Sequence, residues 1–155
     1  MTANTQNVLI WLQRDSLGLQ NPAILMYPGA IRFFVFDDSC ISEDQPSANR
    51  ITFINECLGE VHAVSAHGDA VQLILEKCRS GGHSKVITTG TPCRHARASI
   101  AALTEFVDVE VIALPQLIAD PVPFDLRSFS RFWGQASKSA WKTVAEGSGA
   151  HERLL

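Results

Sequence analysis

Short apolar runs rich in β-branched residues recur along the chain and are its strongest structural signal. They cover residues 8–12, 31–36, 61–64, 85–88 and 109–114. Each run is too short for a helix, and most lack the polar alternation of a half-exposed strand. This pattern is typical of strands that are buried on both faces of a parallel sheet, so we predict five such strands.

Segments with helical periodicity separate these predicted strands. Apolar residues share one helical face at positions 51, 54, 57 and 58, and again at 71, 74, 75 and 78 behind Asp69. Asn21 before Pro22 and Thr91 before Pro92 each place an oxygen at a helix N-cap and proline at the first helical position. The SGGHS sequence at 80–84 follows a helical segment, where glycine predicts a C-cap.

The alternation of strands and helices determines the predicted fold class. Right-handed crossovers between parallel strands place helices on both faces of one sheet. We therefore predict an α/β fold over residues 1–126, with a five-stranded parallel doubly wound (Rossmann-like) sheet. Residues 127–155 are predicted to form a basic and aromatic C-terminal tail that can be helical.

The composition narrows the class of protein. With 46% apolar and 19% charged residues among 155, the chain can form one globular core, which excludes wholesale disorder. A net charge of −3 offers no general basic surface, so we expect no direct DNA binding by this chain alone. No run approaches the roughly 20 apolar residues of a membrane span, and the four cysteines contain no CxxC pair. We expect a cytoplasmic protein with reduced thiols and no membrane contact.

Common nucleotide and metal motifs are missing from the sequence. The turn after the first predicted strand has neither GxGxxG nor GxxxxGK, which excludes an ordinary dinucleotide or P-loop site. The five histidines lack metal-ligand spacing, and we assign no metal site and no catalytic residue. Cys93, beside Arg94 and His95, is either a reactive thiol at a helix N-terminus or a small residue packed in the first helical turn.

Polar residues follow several of the predicted strands. Ligands of doubly wound sheets bind beyond the carboxyl ends of the strands, where the strand order reverses. The candidate residues at these positions are Arg14 and Asp15 after the first strand, Asp37 and Asp38 after the second, and Thr89, Gly90 and Thr91 after the fourth.

The order of several motifs resembles one protein family. VLIWLQRD at 8–15, NPA at 21–23 and FFVFD at 33–37 are similar to the opening of the amino-terminal α/β domain of the DNA photolyase and cryptochrome family. Four further segments resemble later parts of that domain, in the same order, and they cover residues 51–58, 68–69, 117–121 and 129–133. The resemblance covers residues 8–133 and rests on the collinear set.

The resemblance implies that the domain holds an antenna chromophore, which absorbs light and passes the energy to a flavin. The residues that would form this site are Trp11, Arg14, Asp15, Asn21, Phe36, Asp37, Asp38, Thr89, Gly90 and Thr91. Several of them have a structural alternative. Trp11 can be a core residue, Asn21 a helix cap and Asp37 a turn residue, while Arg14 can form an ion pair with Asp15.

Departures from the family pattern bear on the ligand. The loop at 14–22 lacks one arginine and one acidic residue, and residues 89–94 replace the Asn and glutamates that hold a folate. The resemblance therefore favours a deazaflavin or flavin antenna over a folate. The chain ends about where the family's linker leads into the FAD-binding helical domain. We accordingly expect no catalytic FAD and no repair activity from this chain alone.

The segment 127–142 is the only stretch that is both basic and aromatic. It contains Arg127, Phe129, Arg131, Phe132, Trp133, Lys138, Trp141 and Lys142. It could fold back over its own sheet, dock a separate FAD-binding helical subunit, or stack on single-stranded nucleic acid.

These observations leave hypotheses from different functional classes. The leading one is a chromophore-binding or accessory subunit of a separate flavoprotein, in light-dependent DNA repair or light sensing. The second is a nucleotide-binding or protein-interaction module that has lost the antenna site. An enzyme of nucleotidyl chemistry using Arg14, Asp15 and Asp37 ranks last because a phosphate loop is missing. The oligomeric state stays open.

Overall fold

The computed structural model describes residues 7–118 and 124–151. The chain divides into two compact units, Met1–Leu114 and Pro115–Leu155. The strands of the first unit are β1 (Val8–Leu12), β2 (Ile31–Asp37), β3 (Val64–Gly68), β4 (Lys85–Thr89) and β5 (Asp108–Ile112). Its helices are α1 (Pro22–Met26), α2 (Asp38–Asp44), α3 (Ala48–Glu60), α4 (Ala70–Gly81) and α5 (Arg94–Leu103). The second unit contains α6 (Phe129–His151).

The sheet is parallel throughout, with the strand order β3-β2-β1-β4-β5. The chain first builds outward from β1 through β2 to β3, and then crosses to the other side of β1 to add β4 and β5. This arrangement confirms the predicted five-stranded α/β fold. It also places the reversal of strand order between β1 and β4.

Two hydrophobic clusters, one on each face of the sheet, hold the first unit together. Ile10 and Leu12 of β1 pack into one cluster with residues of α1 and α3. The alternate residues Leu9 and Trp11 pack into the other cluster with residues of α4 and α5. Because successive side chains of a strand point to opposite faces, the unbroken apolar run of β1 supplies both layers. The helices therefore cover both faces, as predicted.

Three local signals in the sequence are confirmed at helix ends. Asn21 caps α1 through a hydrogen bond from the Ala23 amide, with Pro22 at the first helical position. Asp69 caps α4 by accepting from the Gln72 amide at 2.8 Å. Gly82 ends α4 in the left-handed conformation, with φ of 67°.

The third strand lies later in the chain than the sequence predicts. We predict it over 61–64, whereas β3 spans Val64–Gly68. The reason is the end of α3, where the amides of Val61 and Ala63 donate to the carbonyls of Cys57 and Leu58. His62 adopts a φ of 50° there, which is incompatible with extended backbone. The fifth strand likewise ends at Ile112, before the predicted limit of 114.

The predicted start of α5 is also corrected. Thr91 does not cap this helix, and Cys93 occupies the N-cap position before Arg94. The Thr91 hydroxyl instead accepts a hydrogen bond from the Cys93 amide at 3.1 Å, which closes a short turn before the helix begins. The helix therefore starts after Pro92, and that proline is not at its first position.

Parts of the sequence-based predictions lie outside the described residues. The family-like segment 117–121 and the tail 127–155 are each only partly described. Among the residues that are described, no helix is both long and apolar enough to cross a membrane.

Candidate functional site

The candidate site lies at the carboxyl edge of the sheet, beside the point between β1 and β4 where the strand order reverses. The loop after β1 begins with a turn of 3-10 helix over Arg14–Ser16. The loop after β4 carries residues 90–93. Because both strands run parallel and are adjacent, these two loops emerge side by side.

Hydrogen bonds join the end of β4 to β1 and to the loop that follows β1. Gln13 Nε2 donates to Thr88 Oγ1 at 2.9 Å, and Thr88 Oγ1 donates to the Trp11 carbonyl at 2.8 Å. The hydroxyl oxygens of Ser16 and Thr89 are 2.7 Å apart. Gln13, Thr88 and Thr89 are all buried. These polar groups therefore satisfy one another without a ligand.

Outside this crevice, Thr91 Oγ1 donates to the Asp15 carboxylate. Asp15 is exposed, and its partner comes from the β4 loop rather than from Arg14. The Arg14 and Asp15 side chains thus have separate partners, which differs from the ion pair considered as one alternative for them.

Asn21 is engaged by the chain itself. Its Oδ1 accepts from the Ala23 amide at 2.8 Å, and its Nδ2 donates to the Ser16 carbonyl at 2.7 Å. The residue is 4% exposed. Asn21 therefore joins the start of α1 to the loop after β1, which is a structural role.

Asp37 joins the starts of two helices. Its Oδ1 accepts from the amides of Ser39 and Cys40 at the first turn of α2. Its Oδ2 accepts from the Ala70 amide at the start of α4, at 3.1 Å. The carboxylate is therefore positioned by backbone donors on two sides. Asp38 is exposed in the first turn of α2.

Among the predicted site residues that the structure describes, Arg14 has a buried side-chain donor without a hydrogen-bond partner. One end of its guanidinium pairs with the Asp44 carboxylate on α2, and this hydrogen bond lowers the pKa of Asp44 and raises the pKa of Arg14. Arg14 Nε is buried and has no hydrogen-bond partner among the described residues. A buried donor without an acceptor is unfavourable, so this N–H is a natural contact for a ligand oxygen.

Arg14 lines three cavities that are formed by described residues. The largest, which we call the outer cavity, has a volume of about 310 Å³ and is lined by Arg14, Asp15, Leu17, Arg50, Phe53, Ile54 and Cys57. Two inner cavities of about 50 Å³ each are also lined by Arg14, together with Asp37 and Cys40. Of these three cavities beside Arg14, only the outer cavity reaches the range of small-molecule sites, roughly 300–1,000 Å³.

The remaining predicted residues are distributed around these cavities. Trp11 is 3% exposed and lines one inner cavity, and Phe36 lines the other. The Phe36 ring also stacks on that of His67. Thr89, Gly90 and Thr91 line none of the three cavities. The Gly90 amide donates to the Ile112 carbonyl at 2.9 Å, which ties the loop to β5.

Sequence reasoning missed five of the seven residues that line the outer cavity, namely Leu17, Arg50, Phe53, Ile54 and Cys57. Two of them, Arg50 and Phe53, offer a cation and an aromatic ring. Both belong to α3, whose buried face contains Ile54 and Leu58. Phe53 falls off that face and is 63% exposed. An aromatic residue outside the apolar face of the helix was the signal in the sequence that could have indicated this part of the site. Arg50 lies one turn before Phe53 on the same side of the helix.

The second unit pairs part of its basic segment internally. The Asp125 carboxylate accepts from Arg127 and Arg131, and these hydrogen bonds lower its pKa. Phe129 and Trp133 stack at 6.0 Å between ring centroids, and Phe129 is 73% exposed. The tail therefore exposes the aromatic ring of Phe129, while Arg127 and Arg131 both pair with the Asp125 carboxylate.

A comparison with models of protein families gives no match for this chain, and a comparison with curated proteins gives none either. The photolyase and cryptochrome resemblance therefore stays a prediction.

Proposed function

We propose that this α/β domain binds a planar chromophore of the flavin or deazaflavin type at the outer cavity. The bound chromophore would act as an antenna for a flavoprotein formed by a separate chain, in light-dependent DNA repair or light sensing. The observation that carries the proposal is Arg14, whose buried Nε has no acceptor among the described residues and which lines a cavity of about 310 Å³.

The lining of the outer cavity suits such a ligand. The exposed ring of Phe53 offers a stacking surface for a planar aromatic molecule. Arg14 and Arg50 can donate to ring carbonyls or to an anionic side chain of the chromophore. Energy transfer requires only that the pigment be held in a fixed orientation, so the protein needs no catalytic group.

The absorption spectrum of the protein purified from its native cells tests the proposal directly. A bound antenna gives a band between about 350 and 450 nm, where tryptophan does not absorb. Extraction and mass measurement of the pigment would then identify it. A preparation transparent in this range, and unchanged by incubation with FMN or a deazaflavin, would overturn the proposal.

Variants separate a specific site from non-specific pigment binding. R14Q and F53A should each weaken flavin binding at least tenfold, measured by quenching of flavin fluorescence. R97Q is the matched control because Arg97 is exposed on α5 and lines none of the three cavities. Equal affinities in R14Q, F53A and R97Q would remove this cavity as the site.

A second candidate is a nucleotide-binding or protein-interaction module. It is favoured by the crevice between β1 and β4, whose buried polar groups are already paired with one another. Two arginines at the outer cavity also suit a phosphate. A ligand that binds the native state raises the melting temperature. Stabilisation by AMP or ATP but not by flavins in a thermal-shift series would therefore favour the nucleotide-binding hypothesis.

The proposed partner is an FAD-binding helical subunit that docks on the basic and aromatic segment 127–142. The exposed rings of Phe129 and Trp141 support an interaction role for this segment. A tagged chain should co-purify with a flavin-containing protein, and the double variant F129A/W141A should lose it. Recovery of the chain alone under gentle conditions would contradict this partner.

A further inference from the structure

Two cysteines that are far apart in the sequence meet beside the candidate site. The Sγ atoms of Cys40 and Cys93 are 3.8 Å apart, although the residues are separated by 53 positions in the chain. Both thiols are free and half-buried. Cys40 lies in the first turn of α2, and Cys93 is the N-cap residue of α5. Both line the same inner cavity.

The backbone holds both cysteines in place independently of their sulfur atoms. The Cys40 amide donates to Asp37 Oδ1 at 3.2 Å, and the Cys93 amide donates to Thr91 Oγ1 at 3.1 Å. Glu43 of α2 accepts from Arg94 at 3.2 Å and also contacts His95. These contacts keep α2 against the start of α5, so the two thiols stay close together.

We propose that Cys40 and Cys93 form a dithiol site that a low-molecular-weight disulfide, such as glutathione disulfide, oxidises to an intramolecular disulfide bond. The S–S bond of a disulfide is about 2.05 Å long, so the sulfurs need to approach by about 1.8 Å. Rotation of the two side chains, together with a small shift of α2, supplies this movement.

The oxidation proceeds by two exchange steps. The Cys93 thiolate attacks the small disulfide, forms a mixed disulfide and releases one small thiolate. Cys40 then loses its proton and attacks the Cys93 sulfur, which expels the second small thiolate. The two protons from the cysteines end on the two released thiols. The pair has lost two electrons, and the small disulfide has gained them.

The environment of the pair sets this order. Burial and the hydrogen bond with Cys93 raise the pKa of Cys40 to about 12, so Cys40 is the poorer first nucleophile. Once Cys93 is in the mixed disulfide, its sulfur carries no negative charge, so this charge no longer raises the pKa of Cys40. Proximity then favours attack within the chain over attack by a second small molecule.

Peptide mapping after oxidation tests the proposal without reference to any chromophore. The reduced full chain is incubated with glutathione disulfide, its free thiols are alkylated, and it is digested with trypsin. Each of the four cysteines lies in a different tryptic peptide. We expect residues 33–50 joined to residues 86–94, with a loss of two hydrogen atoms from the intact mass. Four alkylated thiols, or glutathione adducts alone, would overturn the proposal.

Variants then test the order of the steps. In C40S the mixed disulfide should accumulate on Cys93, whereas in C93S Cys40 should stay largely reduced. C57S is the matched control because Cys57 is also half-buried but has no thiol partner among the described residues, and it should form the link at the wild-type rate. Linkage through Cys57, or adducts that appear first on Cys40, would contradict the assignment. Far-ultraviolet circular dichroism verifies that each variant is folded.

Discussion

Buried polar side chains near the two ends of strand β4 differ in whether they have hydrogen-bond partners. At the carboxyl end, Thr88 donates to the Trp11 carbonyl and accepts from Gln13. Before the amino end, His83 is 8% exposed, and neither of its ring nitrogens has a hydrogen-bond partner within the described residues. The difference indicates that Thr88 and Gln13 belong to a hydrogen-bond network of the fold, whereas His83 does not.

The largest expected effect comes from removing the partner at the carboxyl end. T88V keeps the shape of the side chain but leaves Gln13 Nε2 and the Trp11 carbonyl without their bonds. We expect the free energy of unfolding to fall by about 2–3 kcal/mol, measured by urea denaturation. T52V serves as control because Thr52 is exposed on α3, where the same change should cost less than about 0.5 kcal/mol. Equal losses of unfolding free energy in T88V and T52V would contradict a special role of the buried Thr88 hydrogen bonds.

A smaller loss of stability is expected from changing Asn21, which also lies at the carboxyl edge of the sheet. N21A removes the cap of α1 and the bond to the Ser16 carbonyl, and should cost about 1–2 kcal/mol in urea denaturation. N21D retains the capping oxygen but not the donor, so its stability should lie between those of N21A and the wild type. A stability for N21D at or below that of N21A would show that the cap contributes little.

Near the amino end of β4, we expect His83 to make the free energy of unfolding depend on pH. Burial and the nearby Lys77 charge lower the pKa of His83, so the folded chain holds this proton less tightly than the unfolded chain does. Stability should therefore fall as pH drops below about 6.5, with a slope of at most about 1.4 kcal/mol per pH unit. H83L should flatten this slope without loss of stability at pH near 8. An unchanged slope in H83L would assign the effect to another group.

The smallest effect on stability is expected for the Arg14 pair. Because Arg14 lowers the pKa of Asp44, the pair contributes at neutral pH, and its contribution is lost as pH falls through the lowered pKa. R14Q should leave the urea midpoint nearly unchanged at neutral pH and weaken the loss of stability below the ordinary Asp pKa of about 3.9. A large loss of stability at neutral pH would mean that Arg14 is mainly structural, which would also undermine the ligand assignment.

Much of the fold was predictable because its signals are local. The bounds of β1 follow from one unbroken apolar run, and the caps at Asn21, Asp69 and Gly82 follow from chemistry within a single turn. Thr91 marks the limit of such reasoning. Its oxygen can close a turn or cap a helix, and the sequence around Pro92 does not distinguish between the two.

The alternation of buried strands with helices, and the polar residues that follow those strands, can be inferred from the amino-acid sequence alone. Which of these residues come into contact depends on the tertiary structure. Arg14 pairs with Asp44, Asp37 accepts from the Ala70 amide, and Cys40 approaches Cys93. Each of these contacts joins separate elements across the carboxyl edge of the sheet. The physical reason is that a hydrogen bond or thiol contact depends on distances of a few ångströms, which are set by helix docking and strand order rather than by neighbours in the chain.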